Sequence, residues 1–130
     1  MRAAALVALL LPLAAAAGGQ QREVVDAGTS PVIAGTGERR SVTCNRGRVT
    51  VEGRDNQVVM RGPCERVAIK GSGHKVVMEE VGSLSIQGSG QDVQWVRGLD
   101  GRDPKVTQSG SGHTVRKITA EEYAKVPAIP

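Results

Sequence analysis

His74 and His113 are the only histidines in the chain, and both stand three residues after the first glycine of a Gly-x-Gly turn. Asn56 and Gln91 stand three residues after Gly53 and Gly88 in the same way. Two imidazoles in equivalent slots raise the question of a metal site. In a stack of coils they would lie two coils apart, about 9–10 Å, with Gln91 between them. Zn–N bonds of about 2.0–2.1 Å do not bridge such a gap. No carboxylate recurs beside them. The expectation is a turn-edge polar row of Asn56, His74, Gln91 and His113, with no metal.

The carboxylates are no better grouped. Gly88-Ser-Gly90-Gln91-Asp92 is similar to a calcium-binding glycine-aspartate turn, but such repeats need an aspartate in every copy. The equivalent positions here hold Gln57, Lys75 and Thr114. Asp100 and Asp103 fall in a loop. Acid–base catalysis wants two carboxylates converging on a cleft. Glu79 and Glu80 are adjacent, and on a strand adjacent side chains point to opposite faces. The serines sit in turns with no His-Asp pairing. No catalytic residue and no cofactor are expected, so the chain reads as a non-enzyme. The alternative is a small metal-dependent or hydrolytic enzyme using the turn-edge histidines.

Cys44 and Cys64 are the only cysteines. An even count in an exported chain favours a disulfide over metal ligands or a catalytic thiol. Export itself is read from the N-terminus. Residues 1–17 carry one basic residue, Arg2, then an Ala/Leu/Val run ending in Ala15-Ala16-Ala17. That run is short for a membrane span and has the small residues of a signal-peptidase site. The mature chain is therefore expected to be secreted or periplasmic, without a membrane span.

These residues must be positioned by a repeat. Gly53, Gly71, Gly88 and Gly110 open four copies, spaced by 18, 17 and 22 residues. Before each glycine comes a short alternating run: Val49/Val51, Val67/Ile69, Leu84/Ile86, and Val106/Gln108 in the last copy. After it comes another: Val58/Met60, Val76/Met78, Val93/Trp95 and Val115/Lys117. Alternation places the named side chains on one face of each strand. A fainter copy precedes them at Gly35-Thr36-Gly37, with Ile33 and Val42 in register and Arg40 at an inner slot. A fixed short period implies stacked units that share one core, with polar end copies acting as caps.

The order Cys44, Val49-x-Val51-x-Gly53-x-x-Asn56, Cys64 and then serial Gly-x-Gly turns resembles a bacterial secreted family, domain of unknown function 3060. The resemblance runs from about Cys44 to Ile118. In that family Asn usually follows the turn, whereas here the slot varies. The family brings no activity to transfer.

The fold expected is all-β: a short β-solenoid of about four two-strand coils, with 17–22 residues per repeat. The alternative is an antiparallel meander or sandwich in which each Gly-x-Gly is a hairpin loop. The expected layout is a signal peptide over 1–17, a flexible lead-in over 18–30, a β-repeat domain over 31–118 and a C-terminal tail over 119–130. Thr119 is the expected cap of a short helix there.

Val59, Val77 and Val96 point away from the core on this reading and would form a contact stripe, one route to self-association. Removing residues 1–17 leaves a mildly basic chain of scattered charge. With one Trp, one Tyr and no Phe, it lacks stacking platforms for nucleic acid. The function expected is an exported, non-catalytic structural or binding module of the bacterial cell envelope, with an unknown envelope or protein partner.

Overall fold

The computed structural model describes residues 22–126; the expected signal peptide over 1–17 lies outside them. Nine strands are present among the described residues: β1 (Arg22–Asp26), β2 (Val32–Ile33), β3 (Arg39–Asn45), β4 (Arg48–Val51), β5 (Gln57–Ser72), β6 (Lys75–Ser89), β7 (Asp92–Gly98), β8 (Lys105–Ser111) and β9 (Thr114–Lys117). A short helix, α1 (Ala120–Ala124), follows. Every strand pairing is parallel. A hairpin needs antiparallel partners, so the meander and the sandwich are excluded. The chain is a β-solenoid of about five turns.

One coil consists of a strand, a bend, a second strand and a glycine corner. β5 and β6 each run the length of a coil, with a register shift at the bend between Met60 and Pro63. Side chains at equal positions in successive coils lie above one another. Val58, Val76, Val93 and Val115 form one such column, and Val42, Met60, Met78 and Trp95 another. The second strands supply Val49, Val67 and Leu84, then Ile33, Val51, Ile69 and Ile86. All except Trp95 and Val115 are buried, and those two pack against the same core. Each buried aliphatic side chain contributes about 1.5–3 kcal/mol of transfer free energy, and no single coil could bury them alone.

The corner requires glycine at its first position. Gly53, Gly71, Gly88 and Gly110 all have φ near +100°. At each, a Cβ would fall on the carbonyl oxygen of the equivalent glycine in the coil before. Two residues on, Gly37, Gly73, Gly90 and Gly112 are also left-handed, and Asp55 takes the same conformation at φ 54°. That second column requires only a left-handed residue, which aspartate can supply.

The expected lead-in over 18–30 is in part ordered. Arg22–Asp26 pairs with β3, and Val25 is buried over Cys44. The faint copy at Gly35 is a true coil, its Ile33 registered on Val51. Together they extend the expected four coils to about five. The polar residues of the end coils are accommodated locally. Arg40 lies 3.6 Å from Glu38, and Lys117 sits over the Trp95 ring at 5.5 Å.

The tail folds back. Thr119 caps α1 in a capping box with Glu122, each side chain bonded to the other's backbone N–H. Tyr123 Oη donates to the Met60 carbonyl at 2.9 Å, which returns the tail to the bend of β5.

Candidate functional site

The slot after each corner, expected as an edge row, does lie at the corner. Its side chains, however, turn inward. Asn56, His74 and Gln91 are buried, His74 completely at 0 % exposure. The reversal follows from the two left-handed residues just before the slot, which swing the chain so that the next side chain enters the coil.

Inside, the slots form a ladder with one repeated rule. Each side chain donates to the carbonyl four residues earlier in its own corner. Asn56 Nδ2 donates to Glu52 O at 2.8 Å and Gln91 Nε2 to Gln87 O at 2.9 Å. His74 Nε2 lies 2.8 Å from Lys70 O, and His113 Nε2 2.8 Å from Ser109 O. Each also accepts the N–H of the slot residue one coil earlier. Asn56 N–H donates to His74 Nδ1 at 3.2 Å, and His74 N–H to Gln91 Oε1 at 3.0 Å. Gln91 N–H donates to His113 Nδ1 at 3.4 Å, and Glu38 N–H to Asn56 Oδ1 at 2.8 Å.

This settles what the histidines can do. A carbonyl beside Nε2 and an N–H beside Nδ1 assign the neutral tautomer with its proton on Nε2. Both ring nitrogens of His74 are then committed to backbone partners, and no lone pair is left for a metal. Among the described residues, no group of three or more His, Cys, Asp or Glu side chains could hold an ion. Asn, Gln and His share the slot because each offers one acceptor and one donor at a reach suited to the corner.

The carboxylates are dispersed. Asp92 registers with Lys75 and Thr114. Asp100 pairs with Arg46 at 2.8 Å, and the hydrogen bond and charge of that guanidinium hold its carboxyl below the ordinary aspartate range. Glu79 accepts the Gly62 N–H at 2.8 Å and lies 3.7 Å from Arg97. Glu79 also lies near Tyr123. Burial first, and then the Glu79 charge, push the Tyr123 hydroxyl up to about 12.

The contact stripe has to be redrawn. Val59 registers on Val77, and both are half-buried. The next side chain in that row is Gln94, not Val96. Val96 is 7 % exposed and belongs to the interior, because inside-outside alternation along β7 breaks after Trp95, so that Val96 and Gly98 turn inward. What remains is a shallow cavity of about 180 Å³ bordered by Val59, Val77 and Val126, so the tail already lies against these valines.

Cys44 and Cys64 are bonded, with a Cα–Cα distance of 5.1 Å and a sequence separation of 20. The bridge links β3 to β5 at the bend, on the side opposite the glycine corner. Beside it, a Cβ on Gly62 would meet the Cys44 carbonyl oxygen at 2.6 Å.

A family model described as "Protein of unknown function (DUF3060)" matches residues 51–112. Residues 51–112 belong to that family. The DUF3060 segment begins at Val51 and ends at Gly112, so it holds the corners that begin at Gly53, Gly71, Gly88 and Gly110, and the ladder from Asn56 to Gln91. It is narrower than the resemblance drawn from Cys44 to Ile118, since β1 to β3, most of β4 and the last strand lie beyond it. No curated protein and no solved structure matches the chain.

One surface, largely within the DUF3060 segment, is not among the sites expected from the sequence. The outward residues of the second strands register as Arg48, Arg66, Ser83 and Lys105, as Thr50, Ala68, Ser85 and Thr107, and as Lys70 over Gln87. The signal was present in the alternation before each glycine.

Proposed function

We propose that the protein is an exported, non-catalytic structural or binding module of the bacterial cell envelope. The observation that carries this reading is the ladder. The side chains that looked most chemical, His74 and His113 with Asn56 and Gln91, have both their donor and acceptor atoms used by the backbone. A general base needs a free lone pair facing substrate, and a metal ligand needs one facing the ion.

Export is supported by the Cys44–Cys64 bridge, which persists in oxidising compartments. It is supported also by the Ala/Leu/Val run ahead of Ala15-Ala16-Ala17. No described helix is long and apolar enough to cross a membrane. The rigid stack presents repeated outward rows to a partner in the envelope.

Two measurements on protein recovered from its native host test the reading. Mass spectrometry of the mature chain should find an N-terminus close to Gly18 in the periplasmic or extracellular fraction. Elemental analysis should find no stoichiometric zinc or calcium. A cytoplasmic chain with Met1 in place would end the export half, and one bound ion per chain would restore the hydrolytic alternative.

A further inference from the structure

The two outward faces of the solenoid differ. The first-strand face carries Val59 and Val77 and is met by the tail at Val126. The second-strand face has no such cover among the described residues. It holds a trough of about 410 Å³ whose floor includes Ala68 and Ser85 and whose walls include Arg66, Lys70 and Lys105.

The trough follows from the register. Ala68, Ser85 and Thr107 lie in one column along the stack. Arg66, Ser83 and Lys105 form the column on one side, with Lys70 and Gln87 on the other. Small residues down the middle and long ones along both edges leave a groove parallel to the solenoid axis. Arg66 and Lys105 are two coils apart, about 9–10 Å, and Lys70 lies across the groove about 13 Å from Arg66.

Charge complementarity selects the occupant. Arg48 is drawn to Glu65 at 3.7 Å. Arg66, Lys70 and Lys105 have no ion-pair partner among the described residues. An arginine fork suits a planar carboxylate, while hydroxyls and an amide along the groove suit sugar hydroxyls. The face has no aromatic side chain, because Trp95 packs against the core and Tyr123 lies at Met60. A nucleic acid would lack its stacking platform, and a protein partner its aromatic or apolar anchor.

We propose that this trough binds a linear carboxylated polysaccharide, a polyuronate, lying along the Ala68–Ser85–Thr107 column. The proposal rests on the reading of the chain as a non-catalytic module and names its ligand. The test is calorimetric titration of the full mature chain with oligogalacturonate, beside single-stranded DNA of equal charge. Arg66→Ala/Lys70→Ala/Lys105→Ala is the variant, and Lys75→Ala, on the other face, is the control. All these side chains are exposed, and thermal melts confirm folding.

Wild type and Lys75→Ala should bind oligogalacturonate equally and release it with added salt. The triple variant should bind on the order of tenfold more weakly, as expected for three surface charge pairs. Absence of binding by wild type, equal binding by the triple variant, or tighter binding of DNA would each overturn the proposal. New reducing ends during the titration would instead overturn the non-catalytic reading while leaving the trough in place.

Discussion

His74 shows how one side chain can look chemical and serve only the backbone. Its Nδ1 satisfies the Asn56 N–H and its Nε2 the Lys70 carbonyl, both at a buried corner. A buried polar group left without a partner costs about 1–3 kcal/mol. His74→Ala should therefore lower stability by about 2–4 kcal/mol in urea unfolding, and His74→Asn, which restores the residue type found at position 56, by about 1 kcal/mol. Equal losses for the two variants would deny the ladder its role. Tyr123 offers a second test at this scale, because it is the only tyrosine and phenolate absorbance reports it alone. Its hydroxyl is pushed up to about 12 in the folded chain against about 10 when unfolded. The folded state thus holds its proton more tightly. The associated stability is complete below pH 10 and is lost as the pH climbs through 12. Half-exposure screens the effect to about 1 kcal/mol. The absorbance midpoint should stand near 12 in buffer and near 10 in urea; coincident midpoints would place the hydroxyl in water. The slot positions were legible in the sequence from their offset to glycine. Their inward direction was not, because alternation is a rule for extended backbone and fails across two left-handed residues.

The element to which the repeat owes its stacking is the corner. Gly88 has φ +112°, and a Cβ there would occupy the Gly71 carbonyl oxygen. Gly90 has φ +66° and open space around it. Gly88→Ala should cost more than about 3 kcal/mol or prevent folding, whereas Gly90→Ala should cost about 1–2 kcal/mol, the price of a left-handed alanine. Thermal melts of the pair check the asymmetry, and an equal fall in Tm would mean that close approach of the corners is unimportant. The bend opposite is held by Cys44–Cys64, which closes a loop of 20 residues. Reduction should remove about 3 kcal/mol on the chain-entropy account, measured as a fall in the urea midpoint with dithiothreitol. At this scale the sequence was most readable. Strands, inward partners and corner glycines follow from a period of two broken by Gly-x-Gly. β1 is not legible because Arg22-Glu23-Val24-Val25-Asp26 has no apolar alternation, and it owes its strand to pairing with β3. Val96 is not legible as an inward residue because the period of two breaks after Trp95, and a one-residue break exchanges the two faces.

The whole molecule is a short rod with unequal sides. Buried columns run from Ile33 and Val42 through Ile86 and Trp95, and they give way to Arg40 at one end and to Gln108 and Lys117 at the other. Terminal coils of a solenoid meet water on one side, so polar substitutions there cost little. That gradient was visible in the sequence, as was the parallel stack it implies. The return of the tail from Ile118 to Met60 was not, since it depends on one hydroxyl reaching a carbonyl 63 residues away. The same holds for the contrast between a face met by the tail and a face bearing the Arg66, Lys70 and Lys105 trough. Registers between sequence-distant strands decide which outward residues become neighbours. Everything proposed for function stands on those registers. The most direct test is the pattern of nuclear Overhauser contacts in the mature chain. Parallel coils predict contacts between Val51 and Ile69, between Ile69 and Ile86, and between Val58 and Val76, from strands about 4.8 Å apart. Contacts pairing Val51 with Val58 across the Gly53 turn, in place of these, would contradict the stack.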